Sequence, residues 1–341
     1  MNTNSFLLLL AACLLACGKP VTPTYERFML RYEGADLAIQ VDGNRASGVF
    51  ILLLHGGPGG SGHEYNTGTY SELLEAQYAV VYLDQRGQGA SQGHYSRDNI
   101  TLQQFSDDIE AVARLLKQKY GSNISLFLMG HSWGGMTGTH SLLHTDVQNL
   151  LKGWIEVDGA HDVPMLNKAA IRMFIEIGSQ QISMGKQVDR WKEIVEFARG
   201  VDTTRITNEQ GGQINQYGFE AEGLIEEIYQ DEGAVKLADF LFSPVAPFTG
   251  FVAGSLTSAV INQETEQTSL TPLLGEVRIP VLLLWGKYDF VVPPALAETA
   301  MQRLGTVDKK LLIFEHSGHS PMNSEPQAFA QEIIRFVEAH R

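Results

Sequence analysis

The hydrophobic and polar positions along the chain predict two kinds of β-strand. Residues 27–34 and 37–43 alternate apolar and polar side chains around a short turn, which is typical of an antiparallel hairpin. Continuous apolar runs follow, as expected for parallel strands covered on both faces: VFILLL, AVVYL, SLFLM and GWIEV. Helical periodicity separates most of these runs, most clearly over residues 101–120. The pattern therefore predicts an α/β fold with a mostly parallel, doubly wound sheet.

The alternation of strands and helices stops after Asp158 and resumes near residue 279. The intervening chain contains helical stretches such as WKEIVEFARG and EGLIEEIYQ, without a convincing buried strand between them. We therefore predict a helical cap over residues 161–274, inserted after the sixth strand. Two further apolar runs, IPVLLLWG and KLLIFEH, and a last amphipathic helix complete the predicted core, which spans residues 27–160 and 275–341.

The N-terminal segment carries the pattern of an export signal. Residues 6–16 are apolar, but they are fewer than the roughly 20 residues that a membrane-spanning helix needs. The segment ends in LLAC followed by Gly18, which resembles a bacterial lipobox, although no Lys or Arg precedes it and LAAC at residues 10–13 is a second, poorer match. We expect a lipoprotein-type signal peptide over residues 1–17, acylation of Cys17, a polar tether over 18–26, and an exported protein anchored to a membrane. Ordinary signal cleavage and a retained segment are the alternatives.

Composition excludes several classes of function. The chain has 341 residues and a net charge of −14, which disfavours nucleic acid as a partner because phosphate binding needs clustered Lys and Arg. Its two cysteines, Cys13 and Cys17, both lie in the N-terminal segment. The folded body therefore has no disulfide, no cysteine nucleophile and no thiolate metal site. We predict neither a metal nor an organic cofactor.

The stretch Gly130-His131-Ser132-Trp133-Gly134 has the spacing G-x-S-x-G at the junction of a buried strand and a helix. Such a nucleophile elbow needs glycines on both sides of the serine, because the strained turn leaves no room for a Cβ atom. The strand before it and the helix after it present the serine oxygen above the sheet. Ser132 is therefore the candidate nucleophile, and the alternative is a serine that only caps the helix.

A serine hydroxyl needs a base, and the base needs an orienting acid. Asp289 follows one late apolar run and His319 follows the next, which matches the Ser, Asp, His chain order of hydrolases. Asp158, at the end of the strand before the cap, is a rival for the acid. His316 is a rival for the base, but Gly318 suits a loop that turns the imidazole of His319 inward.

Acyl transfer also needs two backbone N–H groups that stabilise the oxyanion. The residue after the nucleophile, Trp133, supplies one of them. The other is expected in the glycine-rich loop HGGPGG, which follows the strand VFILLL and permits close approach of backbone to substrate. We favour Gly57 as this second donor, with Gly56 as the alternative.

Together, HGGPGG, DQRGQGAS, GHSWGG, WGKYDFVVP and SGHSP resemble the α/β-hydrolase superfamily, and more narrowly its proline iminopeptidase family. The resemblance implies the α/β-hydrolase fold, a triad of Ser132, Asp289 and His319, and an oxyanion hole of Gly57 and Trp133. It also implies that Asp84 and Arg86 brace loops around the site. Iminopeptidases of this type read the substrate's amino group with acids of the cap, in a setting that includes a Trp-Glu pair. The predicted cap has no Trp-Glu dipeptide.

The expected function is that of a serine hydrolase that forms an acyl-enzyme on a small peptide or ester substrate. The narrower expectation is an aminopeptidase that releases N-terminal proline or other small residues. A carboxylesterase or lactonase with the same triad and a non-catalytic lipoprotein binding module are the alternatives. Helical spacing would put Glu222 and Glu226 on one face of the cap, with Glu220 and Glu227 elsewhere, so at most part of this cluster can face an amine.

Overall fold

The computed structural model describes residues 25–229 and 247–341. Within residues 247–256 and at Arg97 it describes the backbone only. The predicted signal peptide, Cys17 and nearly all of the tether lie outside the described residues. In the part of the chain that is described, no helix has both the length and the apolar character needed to cross a membrane.

Within the described residues, nine strands form one sheet in the order β1-β2-β4-β3-β6-β7-β8-β9, and β5 pairs with β2 beside this path. Its strands are β1 (Glu26–Tyr32), β2 (Ala35–Gly43), β3 (Val49–Leu54), β4 (Ala79–Leu83), β5 (Gln92–Gly93), β6 (Ser125–His131), β7 (Gly153–Val157), β8 (Val281–Gly286) and β9 (Lys309–Phe314). The predicted hairpin is present as the antiparallel pair β1–β2, and β2 also runs antiparallel to β4 and β5. All other pairs are parallel.

Burial of the strands follows the two sequence patterns. Every residue of β3, β4, β7 and β8 is buried, whereas β2 alternates between buried and partly exposed residues over most of its length. The parallel strands are covered on both faces because helices pack on each side of the sheet. These helices are α1 (Gly68–Gln77), α2 (Leu102–Tyr120), α3 (Trp133–His144), α8 (Ala295–Arg303), α9 (Pro321–Ser324) and α10 (Pro326–His340). The predicted doubly wound α/β fold is confirmed.

The helical cap lies between β7 and β8. It contains α4 (Val163–Ser183), α5 (Val188–Gly200), α6 (Asn208–Gly223) and α7 (Pro247–Gln267). The sequence pattern does not predict the two-residue strand β5. When β5 is left out of the count, the cap follows the sixth strand. The cap has an apolar cluster of its own, which includes Phe174 and Trp191 and extends to Phe290 in the loop after β8. This contact ties the cap to the loop that carries Asp289.

A buried ion pair and a buried carboxylate hold the loop that follows β4. The Arg86 guanidinium donates two hydrogen bonds to the Asp108 carboxylate and one each to the carbonyl oxygens of Tyr32 and Glu33. Asp84 accepts from the backbone N–H groups of Gly62 and Ala90. Because these side chains bond to the loop after β4 and to neighbouring segments, they have the bracing contacts that the resemblance implied. Removing one partner of such a buried pair typically costs about 3–5 kcal/mol.

Candidate active site

Ser132 lies in the sharp turn between β6 and α3, at the carboxyl edge of the sheet. Its φ is 55° and its ψ is −116°, a conformation that an L-residue adopts only under strain. A Cβ atom at Gly130 would come within 2.2 Å of the Gly134 carbonyl oxygen, and one at Gly134 within 2.1 Å of the Leu54 carbonyl oxygen. The glycines of the motif are therefore required by close backbone approach, as the elbow interpretation predicts.

The structure brings Ser132, His319 and Asp289 into one hydrogen-bonded chain. The Nε2 atom of His319 lies 2.9 Å from the Ser132 Oγ, and its Nδ1 atom lies 2.9 Å from the Asp289 Oδ2. The other carboxylate oxygen of Asp289 accepts from the backbone N–H groups of Val291 and Val292 at 2.9 and 2.6 Å. With the Nδ1 proton donated to Asp289, Nε2 is left to accept the serine proton.

The charges around His319 favour the protonated form of its imidazole. Burial alone would lower the pKa of this imidazole, but the Asp289 carboxylate and, to a smaller extent, Glu222 outweigh it and raise the pKa above its usual value. A base with a raised pKa takes the serine proton more readily, provided that it is still neutral at the working pH.

Asp158, the rival acid, lies beside the chain and does not complete it. Its Oδ1 accepts from the backbone N–H of Gly286 at 2.9 Å, and its buried Oδ2 has no partner among the described residues. Burial, and next the neighbouring Asp289 charge, raise the Asp158 pKa well above its usual range. The neutral form of Asp158 is therefore favoured, and the His319 Nδ1 donates its hydrogen bond to Asp289 instead.

His316, the rival base, has no hydrogen bond to Ser132 within the described residues, where the partner of the Ser132 Oγ is His319. Its ring stacks on Tyr229 with centroids 4.1 Å apart, and its Nδ1 lies 3.1 Å from the Glu227 carbonyl oxygen. His316 thus attaches the base loop, residues 315–320, to the chain that follows α6.

We call residues 55–60 the oxyanion loop. Side-chain hydrogen bonds fix the orientation of its first peptide units. The Nε2 atom of His55 accepts from the Gln85 N–H at 3.1 Å, so its Nδ1 carries the proton and donates to the Gly56 carbonyl oxygen at 2.8 Å. In a trans peptide the C=O and the N–H point in opposite directions, so this bond turns the Gly57 N–H away from His55.

The alternative donor Gly56 is already occupied, because its N–H donates to the Tyr65 hydroxyl oxygen at 2.9 Å. Neither Gly57 N nor Trp133 N donates to any group within residues 25–229 and 247–341. The geometry therefore favours the predicted pair of donors, Gly57 and Trp133, over Gly56.

The cap glutamates are distributed differently from the prediction. Glu222 reaches the loops of the core: its Oε1 accepts from the Phe290 N–H at 3.2 Å and its Oε2 from the His319 N–H at 3.0 Å. Glu226 is not on a shared helical face, since α6 ends at Gly223. Glu226 and Glu227 instead pair with Lys186, and Glu220 pairs with Arg190. Burial, and next the Asp289 charge, raise the Glu222 pKa to about 8.

Asp158, Asp289 and His319 each offer one atom that could coordinate a metal ion, and these three atoms all lie within 4.8 Å of one another. Both ring nitrogens of His319 are, however, engaged by Asp289 and Ser132. The arrangement is therefore organised for proton transfer between side chains.

Comparison with known proteins agrees with this geometry. The sequence profile of the alpha/beta hydrolase family matches residues 51–332. The chain belongs to the alpha/beta hydrolase family. This hydrolase is 25% identical over 314 residues to a probable aminopeptidase, YbaC, of Bacillus subtilis (strain 168), covering 89% of this chain and 93% of the relative.

Two other relatives show how broad the similarity is. A proline iminopeptidase of Saccharolobus solfataricus is 25% identical over 296 residues, covering 84% of each chain. A 2-hydroxy-6-oxononadienedioate/2-hydroxy-6-oxononatrienedioate hydrolase of Dechloromonas aromatica is also 25% identical, over 90% of this chain and 94% of the relative. The hydrolase is thus similar both to a proline iminopeptidase and to a hydrolase of another substrate class, and the predicted resemblance to the proline iminopeptidase family is confirmed at low identity.

Proposed function

We propose that this hydrolase is a serine hydrolase that works through an acyl-enzyme on Ser132. The observation that carries the proposal is the continuous chain from the Ser132 Oγ through both ring nitrogens of His319 to the Asp289 carboxylate, with 2.9 Å at each link. Both distances are within the hydrogen-bond range that general base catalysis requires between nucleophile, base and orienting acid.

In the proposed reaction the Ser132 oxygen attacks the substrate carbonyl carbon while the His319 Nε2 takes the serine proton. The negative charge that develops on the carbonyl oxygen is stabilised by the N–H groups of Gly57 and Trp133. The imidazolium, held by Asp289, then protonates the leaving amine or alkoxide, and the C–N or C–O bond breaks. Water, deprotonated by the same imidazole, hydrolyses the ester on Ser132 and restores the hydroxyl.

The narrower proposal is an aminopeptidase that releases N-terminal proline or other small residues. Glu222 supports it, because this cap carboxyl reaches the backbone of the proposed base. Each of its oxygens can accept a further hydrogen bond, so a substrate ammonium could bind there without displacing the two N–H groups. The bound ammonium would favour the ionised form of Glu222, which offsets the desolvation of both charges. The aminopeptidase and proline iminopeptidase among the relatives support the same substrate class.

A hydrolysis panel tests the narrower proposal. Proline and alanine arylamides and short acyl esters are compared, each with a free and with a blocked amine. We expect turnover of the free-amine arylamides and a loss on blocking the amine. Activity on the esters alone would overturn the aminopeptidase and favour the carboxylesterase or lactonase, and no activity together with no reaction of Ser132 would favour a binding module.

We also propose, from the lipobox-like sequence alone, that Cys17 is acylated and that the exported protein is held at a membrane. A single acyl chain binds membranes only marginally, so stable anchoring needs several chains. Mass spectrometry of the native N-terminus tests this. A lipid-modified Cys17 is the expected result, and an unmodified N-terminus beyond residue 17 would contradict it.

A further inference from the structure

Tyr65 and His131 are polar residues beside the proposed triad that the mechanism above does not use. Tyr65 ends a short 3-10 turn, Gly62–Tyr65, that follows the oxyanion loop. His131 is the last residue of β6 and is only 8% exposed. They are 66 residues apart in the chain, yet the Tyr65 hydroxyl lies 2.6 Å from the His131 Nδ1.

The hydrogen-bond partners of Tyr65 and His131 determine which atom donates and which accepts in each bond. The Nε2 atom of His131 lies 2.6 Å from the carbonyl oxygen of His319, which can only accept, so Nε2 carries the proton. Burial, and next the neighbouring His319, lower the His131 pKa to about 3, so the ring is neutral and Nδ1 is an acceptor. The Tyr65 O–H therefore donates to His131, and the Tyr65 oxygen accepts from the Gly56 N–H.

The resulting row of hydrogen bonds runs from Gly56 through Tyr65 and His131 to the His319 carbonyl. It begins in the oxyanion loop, passes the residue next to the proposed nucleophile, and ends on the backbone of the proposed base. The rings of His131 and His319 are also in contact, with centroids 4.8 Å apart. We call this row the Tyr65–His131 relay.

We propose that Tyr65 and His131 are positioning residues that hold the oxyanion loop and the base loop in register with Ser132, an inference that rests on the proposed serine hydrolase function. Through Gly56, the relay sets the orientation of the loop that presents the Gly57 N–H. Through the His319 carbonyl, it sets the backbone from which the imidazole reaches Ser132. Among the described residues, neither side chain has a hydrogen bond to the Ser132 Oγ or to the ring nitrogens of His319.

Three variants separate the two ends of the relay. Tyr65→Phe removes the hydroxyl that joins Gly56 to His131. His131→Asn keeps an acceptor at the Nδ1 position but loses the donor to His319, and His131→Gln keeps a donor near the Nε2 position but loses the acceptor for Tyr65. Tyr78→Phe is the matched control, since it also removes a buried tyrosine hydroxyl, with its 2.7 Å bond to Glu338, from the opposite edge of the sheet.

The readout is the second-order rate of inactivation by a fluorophosphonate, measured across pH. Removing an oxyanion donor outright costs about 10²–10³-fold, so a misplaced donor should cost about 10–100-fold. We expect such losses in Tyr65→Phe and His131→Gln through the oxyanion loop, a loss in His131→Asn through the displaced base, and wild-type rates in Tyr78→Phe. Only His131→Asn should also move the acidic midpoint of the profile, because only it releases the backbone of His319 while leaving the oxyanion loop linked to Tyr65.

The outcomes of this experiment distinguish a failure of the proposed positioning role from a failure of the proposed serine hydrolase function. Relay variants that react within twofold of wild type, or that all slow by the same factor as Tyr78→Phe, would overturn the relay and leave the serine hydrolase intact. A folded wild-type protein that does not react with the fluorophosphonate would overturn the proposed function and the relay with it.

Discussion

The carboxyl edge of the sheet and the cap above it contribute to one site under different physical constraints. At the sheet edge, Ser132, Asp289 and His319 follow parallel strands whose ends must lie side by side. In the cap, Glu222 reaches the same place because α6 packs over Phe290, and nearby glutamates pair with surface cations instead. The comparison indicates that the sheet determines the chemistry, whereas cap packing determines which charges the substrate meets.

The largest difference is expected between the two buried acids of the sheet edge. Asp289→Asn should lower kcat about 10⁴-fold, because an amide no longer orients the correct tautomer of His319 or stabilises the imidazolium. Asp158→Asn should cost less than about 10-fold, since a neutral amide resembles the neutral acid that bonds to Gly286. Steady-state kinetics on one ester substrate checks both. A larger loss in Asp158→Asn would reverse the acid assignment.

A smaller effect is expected in the cap. Glu222→Gln should raise KM for free-amine substrates about 10-fold more than for blocked esters, because the lost interaction is with a charge that blocked substrates lack. Glu226→Gln is the control, as its carboxylate is 67% exposed and pairs with Lys186. Equal losses on both substrates in Glu222→Gln would leave Glu222 as a support for the base loop only.

The pH profile links the two regions. Since His319 must be neutral to accept a proton and its pKa is raised, kcat/KM on a blocked ester should fall as pH decreases, with a midpoint above 6.5. In Glu222→Gln the midpoint should move downward only slightly, because the Glu222 carboxyl, whose own pKa is raised to about 8, carries only part of a negative charge near that pH. An unchanged or higher midpoint in this variant would show that the cap does not act on the base through charge.

The smallest effect is expected at the outer glutamates of the cap. Glu220→Gln and Glu226→Gln should each change the free energy of unfolding by less than about 1 kcal/mol, because ion pairs that stay partly or largely in contact with solvent contribute little. Urea denaturation checks this. A loss of several kcal/mol would mean that these pairs, and not the apolar cluster around Trp191, hold the cap together.

Sequence alone was sufficient for the order of most elements along the chain and for the elbow, because apolar runs, glycine requirements and the positions of strand ends are local patterns. The elbow glycines and the residues after β8 and β9 could be located without coordinates for that reason. In the cap, the pattern of EGLIEEIYQ predicts one helix, but α6 ends at Gly223. The helical spacing assigned to Glu222 and Glu226 was therefore wrong, and Gly223 itself was the available signal for the helix end.

The Tyr65–His131 relay could not be predicted in the same way. His131 was visible only as the variable residue of the G-x-S-x-G motif, and nothing in the spacing connects it to Tyr65. Their contact depends on how the turn after the oxyanion loop folds back over β6. Such a long-range side-chain contact has no local sequence signature.

The central claim, that Ser132 is the nucleophile, is tested most directly by mass spectrometry after treatment with a fluorophosphonate. The account predicts one adduct on Ser132 in the folded protein, lost in Ser132→Ala and retained in Ser141→Ala, which alters a fully buried serine of the same helix segment. An adduct that persists in Ser132→Ala, or a folded wild-type protein that forms none, would contradict it.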